Sequence, residues 1–160
     1  MTNHLWLPYS QMKTDMAPLR AVSTQGCHIT LDDGRVLVDG IASWWTACHG
    51  YNHPHIARAV SHQLATMPHV MFGGLVHAPA CRLAERLAAL LPGDLERVFF
   101  SDSGSVSVEV AIKMAIQYWR NRGEPQRVGL IALHHAYHGD TVGAMSASED
   151  SVFTRAFTPL

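Results

Sequence analysis

The stretch "VFFSDSGSVSVEVAIKMA", residues 98–115, constrains the fold more than any other part of the chain. Its first three residues are aromatic or β-branched and predict a short buried strand. Ser101, Asp102, Ser103, Gly104 and Ser105 then gather turn formers and helix N-caps, and Val106, Val108, Val110, Ala111, Ile112 and Met114 predict a helix reaching to about Arg122. A helix start leaves N–H groups without intrahelical partners at the positive end of the dipole, and a glycine there allows close approach. An anion, above all a phosphate, suits such a place; a simple cap by Ser103 or Ser105 is the alternative reading. The segment lacks the Lys-Ser or Lys-Thr of a Walker loop and the complete Gly-x-Gly-x-x-Gly of a dinucleotide fold.

Residues 128–133 read as a second buried strand, with "HHAYHGDTVG" at its carboxyl end. Two strands joined by a long helix predict a β-α-β unit, hence an α/β fold with a parallel sheet covered on both faces. Ligands in such folds sit beyond the carboxyl ends of the strands, so loops 101–105 and 134–141 are expected on one rim. Tyr137 and His138 offer flat side chains able to cover an aromatic ring, or else pack as ordinary loop residues. On the helix, Glu109 and Lys113 are spaced for an i,i+4 ion pair.

Upstream, Asp32-Asp33-Gly34 between residues 27–31 and 35–38 predicts a hairpin. Helical spacing of Ile56, Ala59, Val60, Gln63, Leu64 and Met67 predicts a helix beginning near Pro54, and a second helix is expected over residues 79–91, ended by Pro92-Gly93. Trp44 and Trp45, if extended, point opposite ways, which predicts one in the core and one lining a pocket.

The 160 residues are 48% apolar, enough for one domain with a real core. A net charge of −1 and scattered basic residues argue against nucleic-acid or membrane-surface partners. Cys27, Cys48 and Cys81 are odd in number and widely spaced, which suits a reducing compartment better than a disulfide framework. The amino-terminal residues do not have the pattern of an export signal, and no apolar run is long enough to span a bilayer, so a soluble, cytoplasmic protein is expected. Eleven histidines invite a metal, yet neither His49, His53 and His55 nor His134, His135 and His138 have a recognised ligand spacing.

The segments "SWWTACHGYNHP", "HVMFGGLVHAPA", "FFSDSGSVSVEVAIKMAIQYW" and "YHGDTVGAMS", in this order, resemble the class III aminotransferases, pyridoxal-phosphate enzymes of fold type I. The double Trp and "MFGGLVHAP" resemble in particular the biotin-biosynthesis members. Those transfer an amino group from S-adenosylmethionine to 8-amino-7-oxononanoate, giving 7,8-diaminononanoate. The likeness implies a partial fold: residues 1–50 as an amino-terminal segment with a hairpin belonging to the small domain, and residues 51–160 as an incomplete large cofactor-binding domain. It implies that Gly104 and Ser105 hold the phosphate of pyridoxal 5'-phosphate, that Tyr137 stacks on its ring and meets substrate, and that His138, Gly139 and Asp140 complete that loop. Tyr9 and Trp44, with Trp45 beside them, are the implied substrate-binding residues. Ser107 departs from the small apolar residue usual in the family.

Amino transfer on this cofactor needs a lysine amine at its reactive carbon and a carboxylate at its ring nitrogen. The family supplies both from a later segment, and neither Lys13 nor Lys113 fits the first role. The resemblance therefore implies an amino-terminal portion that is inactive alone and belongs to a homodimer when full length. A fragment of an ω-amino-acid or ornithine-type aminotransferase, or a non-catalytic remnant binding a phosphorylated ligand or a partner chain, are the alternative readings.

Overall fold

The computed structural model describes residues 4–14, 16–152 and 154–157, and the chain divides into two units, Met1–Val76 and His77–Leu160. In the first unit, β1 (Ala21–Gln25), β2 (His28–Leu31) and β3 (Val36–Val38) form an antiparallel sheet in sequence order. The expected hairpin is β2–β3, with His28 opposite Val38 and Thr30 opposite Val36. Its turn closes because the Asp33 carboxylate accepts the Arg35 N–H at 3.0 Å and Gly34 takes φ +86°. The Arg35 N–H and then its guanidinium hold the Asp33 carboxyl below the ordinary carboxylate range. β1 was not foreseen: "AVSTQ" has one apolar pair and reads as a weak strand, but the tight Gly26-Cys27 connection, with Gly26 at φ +59°, returns β2 alongside it. Tyr51 fastens the following segment to that connection by two backbone bonds with Gly26, 2.7 and 3.1 Å long. α1 (Pro54–Thr66) then starts at the expected proline.

The second unit contains α2 (Ala78–Leu90), α3 (Gly104–Asn121), α4 (Val142–Ser146) and a 3-10 turn, Arg155–Phe157. α2 is capped by a side chain the sequence did not single out, His77, whose Nδ1 accepts the Ala80 N–H at 3.3 Å. Pro92-Gly93 ends it as expected, with Gly93 at φ +72°. Of the two serines the sequence offers as a cap for α3, Ser103 is the one that serves: its Oγ accepts the Val106 N–H at 3.2 Å.

Two expectations are corrected. Residues 98–100 and 128–133 form no ladder; β1–β2–β3 is the sheet found among the described residues, and Phe99, Ile131 and Leu133 are 65%, 100% and 78% exposed. An apolar run encodes what a strand buries, whereas the ladder belongs to its neighbour, and these two runs do not pair with each other. The expected core is also thin: among the described residues only Leu31 and Ala144 are fully buried hydrophobics. The chain exposes 13795 Å² for its 17.6 kDa. A compact chain of that mass exposes about 7,900 Å², and two separate compact units of half that mass about 9,500 Å².

Candidate functional site

The second unit folds the loop before α4 back onto the first turn of α3. Ser105 Oγ and Thr141 Oγ1 lie 2.7 Å apart, and Ser105 Oγ also accepts the Thr141 N–H at 3.0 Å. The approach is possible because residue 139 is glycine: at φ +119°, a Cβ there would stand 2.8 Å from Ser105 Cα. One turn along α3, the Glu109 carboxylate accepts the N–H groups of Gly143 at 2.7 Å and Ala144 at 3.2 Å, the second and third residues of α4. It thereby caps α4 from a different helix. Gly143 leaves space for this carboxylate: a Cβ there would stand 2.8 Å from Glu109 Cδ and push the side chain aside. The expected Glu109–Lys113 ion pair is not among the ion pairs of the described residues. Two backbone donors hold the carboxylate against the pull of a flexible, solvated ammonium. The Thr141 hydroxyl, and after it the Gly143 and Ala144 N–H groups, hold the Glu109 carboxyl below the ordinary range against the opposing effect of partial burial.

Between these elements lies an open cavity of about 570 Å³ lined by Gly104, Ser105, Val108, Tyr137, His138, Gly139, Asp140 and Thr141. Gly104 and Ser105 are the first two residues of α3, so their N–H groups have no intrahelical acceptor and face the start of the helix. A Cβ added at Gly104 would meet nothing within 4 Å, so the first turn is open to a ligand. Tyr137 is 70% exposed, and the His138 N–H is held by Ser148 Oγ at 3.1 Å. These features fit the phosphate and ring of pyridoxal phosphate: unpartnered helix N–H groups for an anion, and an aromatic face nearby. Lys13 and Lys113 do not line the cavity.

The first unit holds the other residues singled out. Trp44 and Trp45 are not extended: Ala42, Ser43, Trp44 and Trp45 take φ of 49°, 45°, 53° and 76°, a left-handed turn closed by the Ala47 N–H on Ala42 C=O at 2.9 Å. Neither Trp is core; they are 63% and 87% exposed. Tyr9 meets Trp44 edge to face, with ring centroids 5.7 Å apart. Left-handed backbone costs roughly 1–2 kcal/mol for each such residue, so something must hold the turn. Asp39 does so. Its carboxylate accepts the Ile41 N–H at 3.1 Å, the Ser43 N–H at 2.8 Å and the Tyr51 hydroxyl at 2.5 Å, and Ser43 Oγ bonds both Asp39 and Tyr51. Tyr51 first, then Ile41 and Ser43, hold the Asp39 carboxyl below its ordinary range, while the Asp39 carboxylate pushes the Tyr51 phenol up.

A chain with this helix-start cavity and cross-capped loop matches the class-III aminotransferases over residues 9–160, and it belongs to that family. Its fold is that of the corresponding part of the fold type I pyridoxal-phosphate transaminases. The chain is 51% identical over 98% of its length to the adenosylmethionine-8-amino-7-oxononanoate aminotransferase of Synechococcus elongatus, covering 37% of that protein. It is 50% identical over 89% of its length to the enzyme of the same name from Mycobacterium leprae, covering 34% of it. The crystal structure of adenosylmethionine-8-amino-7-oxononanoate aminotransferase from Methanocaldococcus jannaschii superposes with a TM-score of 0.91 at 34% identity, over 98% of this chain and 36% of that one. An (S)-enantioselective omega-transaminase from Thermomicrobium roseum superposes at 0.86 with 32% identity, over 96% of this chain and 35% of that one. The chain thus spans about a third of the length of the curated relatives it matches.

Proposed function

We propose that this chain provides the phosphate- and ring-holding part of a pyridoxal-phosphate aminotransferase of biotin biosynthesis. The enzyme would transfer an amino group from S-adenosylmethionine to 8-amino-7-oxononanoate, giving 7,8-diaminononanoate, in the cytoplasm and as a homodimer. The observation that carries the cofactor part of this reading is the single cavity joining the α3 start to the Tyr137 loop. In it the Gly104 and Ser105 N–H groups hold the phosphate, the Tyr137 ring covers one face of the cofactor ring, and His138 and Asp140 border it. Pyridoxal phosphate, when bound, supplies the electron sink that amino transfer requires. In the first unit, the Tyr9–Trp44 pair forms a rigid aromatic wall for substrate, with Trp45 next to it. The choice of substrates rests on the identity of about one residue in two with relatives bearing that enzyme's name, against about one in three for the omega-transaminase.

Deleting the gene tests the reading. Growth of the deletion strain without biotin is expected to return on 7,8-diaminononanoate and not on 8-amino-7-oxononanoate. Growth on both compounds, or on neither, contradicts the assignment.

A further inference from the structure

We propose that Glu109 is a positioning residue for the cofactor cavity, fixing the start of α4 and with it the Thr141 side of the loop that lines the cavity; the cavity's role rests on the reading just given. Ser105 Oγ accepts the Thr141 N–H at 3.0 Å and lies 2.7 Å from the Thr141 hydroxyl, so the Ser105 side chain ties the loop to the first turn of α3. Glu109, one turn further along the same helix, holds the residues just after Thr141 by the Gly143 and Ala144 N–H groups at 2.7 and 3.2 Å. The loop is therefore fixed to α3 at two successive turns, and the second of these is a carboxylate.

Gly139 builds the first of these ties into the backbone: at φ +119° it admits Ser105, whose Cα a Cβ there would meet at 2.8 Å. Gly143 leaves room for the Glu109 carboxylate, which a side chain there would displace. α4 has five residues, too few to persist without outside help, and Glu109 satisfies two of its orphan N–H groups. The half-buried carboxylate is thus the point from which the 137–146 segment is held over the first turn of α3.

The test uses the whole chain and two readouts. Amide exchange at Gly143 and Ala144 is expected to quicken at least tenfold in Glu109→Ala. Glu109→Gln, which keeps an oxygen for both N–H groups, is expected to recover most of the protection. Titration with pyridoxal phosphate is expected to show at least fivefold weaker binding in Glu109→Ala, with recovery in Glu109→Gln. Unchanged exchange in Glu109→Ala overturns the proposal, as does faster exchange with parental cofactor affinity, which would make Glu109 only a helix cap. A parent chain that binds no pyridoxal phosphate sinks the assignment of the cavity instead, while exchange still decides whether Glu109 orders the segment.

Discussion

The left-handed turn of the first unit and the helix-start cavity of the second solve a related problem by opposite means. In each, one carboxylate collects two backbone N–H groups: Asp39 takes those of Ile41 and Ser43, together with the Ser43 and Tyr51 hydroxyls, and Glu109 takes those of Gly143 and Ala144. The backbone groups Asp39 holds are two and four residues ahead, whereas those of Glu109 are 34 and 35 residues ahead. The turn at 42–45 tolerates unfavourable dihedrals in order to place two indoles, and no glycine relieves it. The cavity uses Gly139 and Gly143, because there a backbone must come close and no side chain is wanted. Strain sits where a side chain is presented, and glycine where one is excluded.

The sharpest way to break this contrast is to put a side chain where the second region forbids it. Gly139→Ala should lower the unfolding free energy by about 3 kcal/mol, since both its φ and its contact with Ser105 must give. Gly104→Ala, in open space at a helix start, should leave stability within about 1 kcal/mol, so denaturant melts of the pair separate crowding from simple loss of glycine. Equal losses in the two would show that the approach at Gly139 is not tight.

Removing the Asp39 carboxylate probes the other side. Asp39→Ala should quicken amide exchange at Ile41 and Ser43 about tenfold and weaken the near-ultraviolet dichroism of the Tyr9–Trp44 contact, with helix content unchanged. The same signals should respond to pH. Because the folded Asp39 carboxyl is lowered, its contribution is complete above the ordinary carboxylate range and fades as pH falls through the folded value. Because the Tyr51 phenol is raised, its contribution is complete below about pH 10 and fades as pH climbs through the folded value. A dichroism signal that holds on the acid side until the helices themselves unfold, and likewise on the alkaline side, would detach the turn from these two groups.

Smaller effects should come from the displayed residues. Trp44→Ala loses the edge-to-face contact, about 0.5–1.5 kcal/mol, and should change the melting temperature by a few degrees at most while damaging substrate binding in the complete enzyme. A collapse of thermal stability with unchanged substrate affinity would make Trp44 structural. Lys113→Ala should be the quietest change, within about 0.5 kcal/mol, because Glu109 is engaged elsewhere. A larger loss, read from the same denaturant melts, would restore the ion pair that the i,i+4 spacing suggests.

Local chemistry was the legible part of this sequence. The Pro54 start, the Asp33-Gly34 turn and the Pro92-Gly93 stop each depend on one or two residues and their neighbours, and each was read directly, while the α3 cap was narrowed to Ser103 or Ser105. The adjacency of the Ser105 and Tyr137 loops was read too, though from an expected sheet rim; the contacts that join them run through Thr141 and Glu109. What escaped was whatever depends on a distant partner. Residues 98–100 and 128–133 carry the apolar pattern of strands, but a ladder needs a partner strand, which such a pattern does not name. The Glu109 cap closes 34 residues of chain, and its only trace in the sequence is a glycine at 143. The handedness of the 42–45 turn left no trace either, since neither Trp nor Ala favours it.

The long reach of Glu109 also sets an order of events during folding. α3 spans 18 residues and can begin from its own cap, whereas the five residues of α4 have no nucleus of their own. Before α4 gains anything, the chain between residues 109 and 143 must be closed into a loop, at an entropic cost that grows with the logarithm of its length. The clamp is therefore expected to form after α3, so damage to it should accelerate unfolding more than it slows folding. In a cell, where proteases sample brief openings, the loop that carries Tyr137 is expected to be laid bare before α3 is.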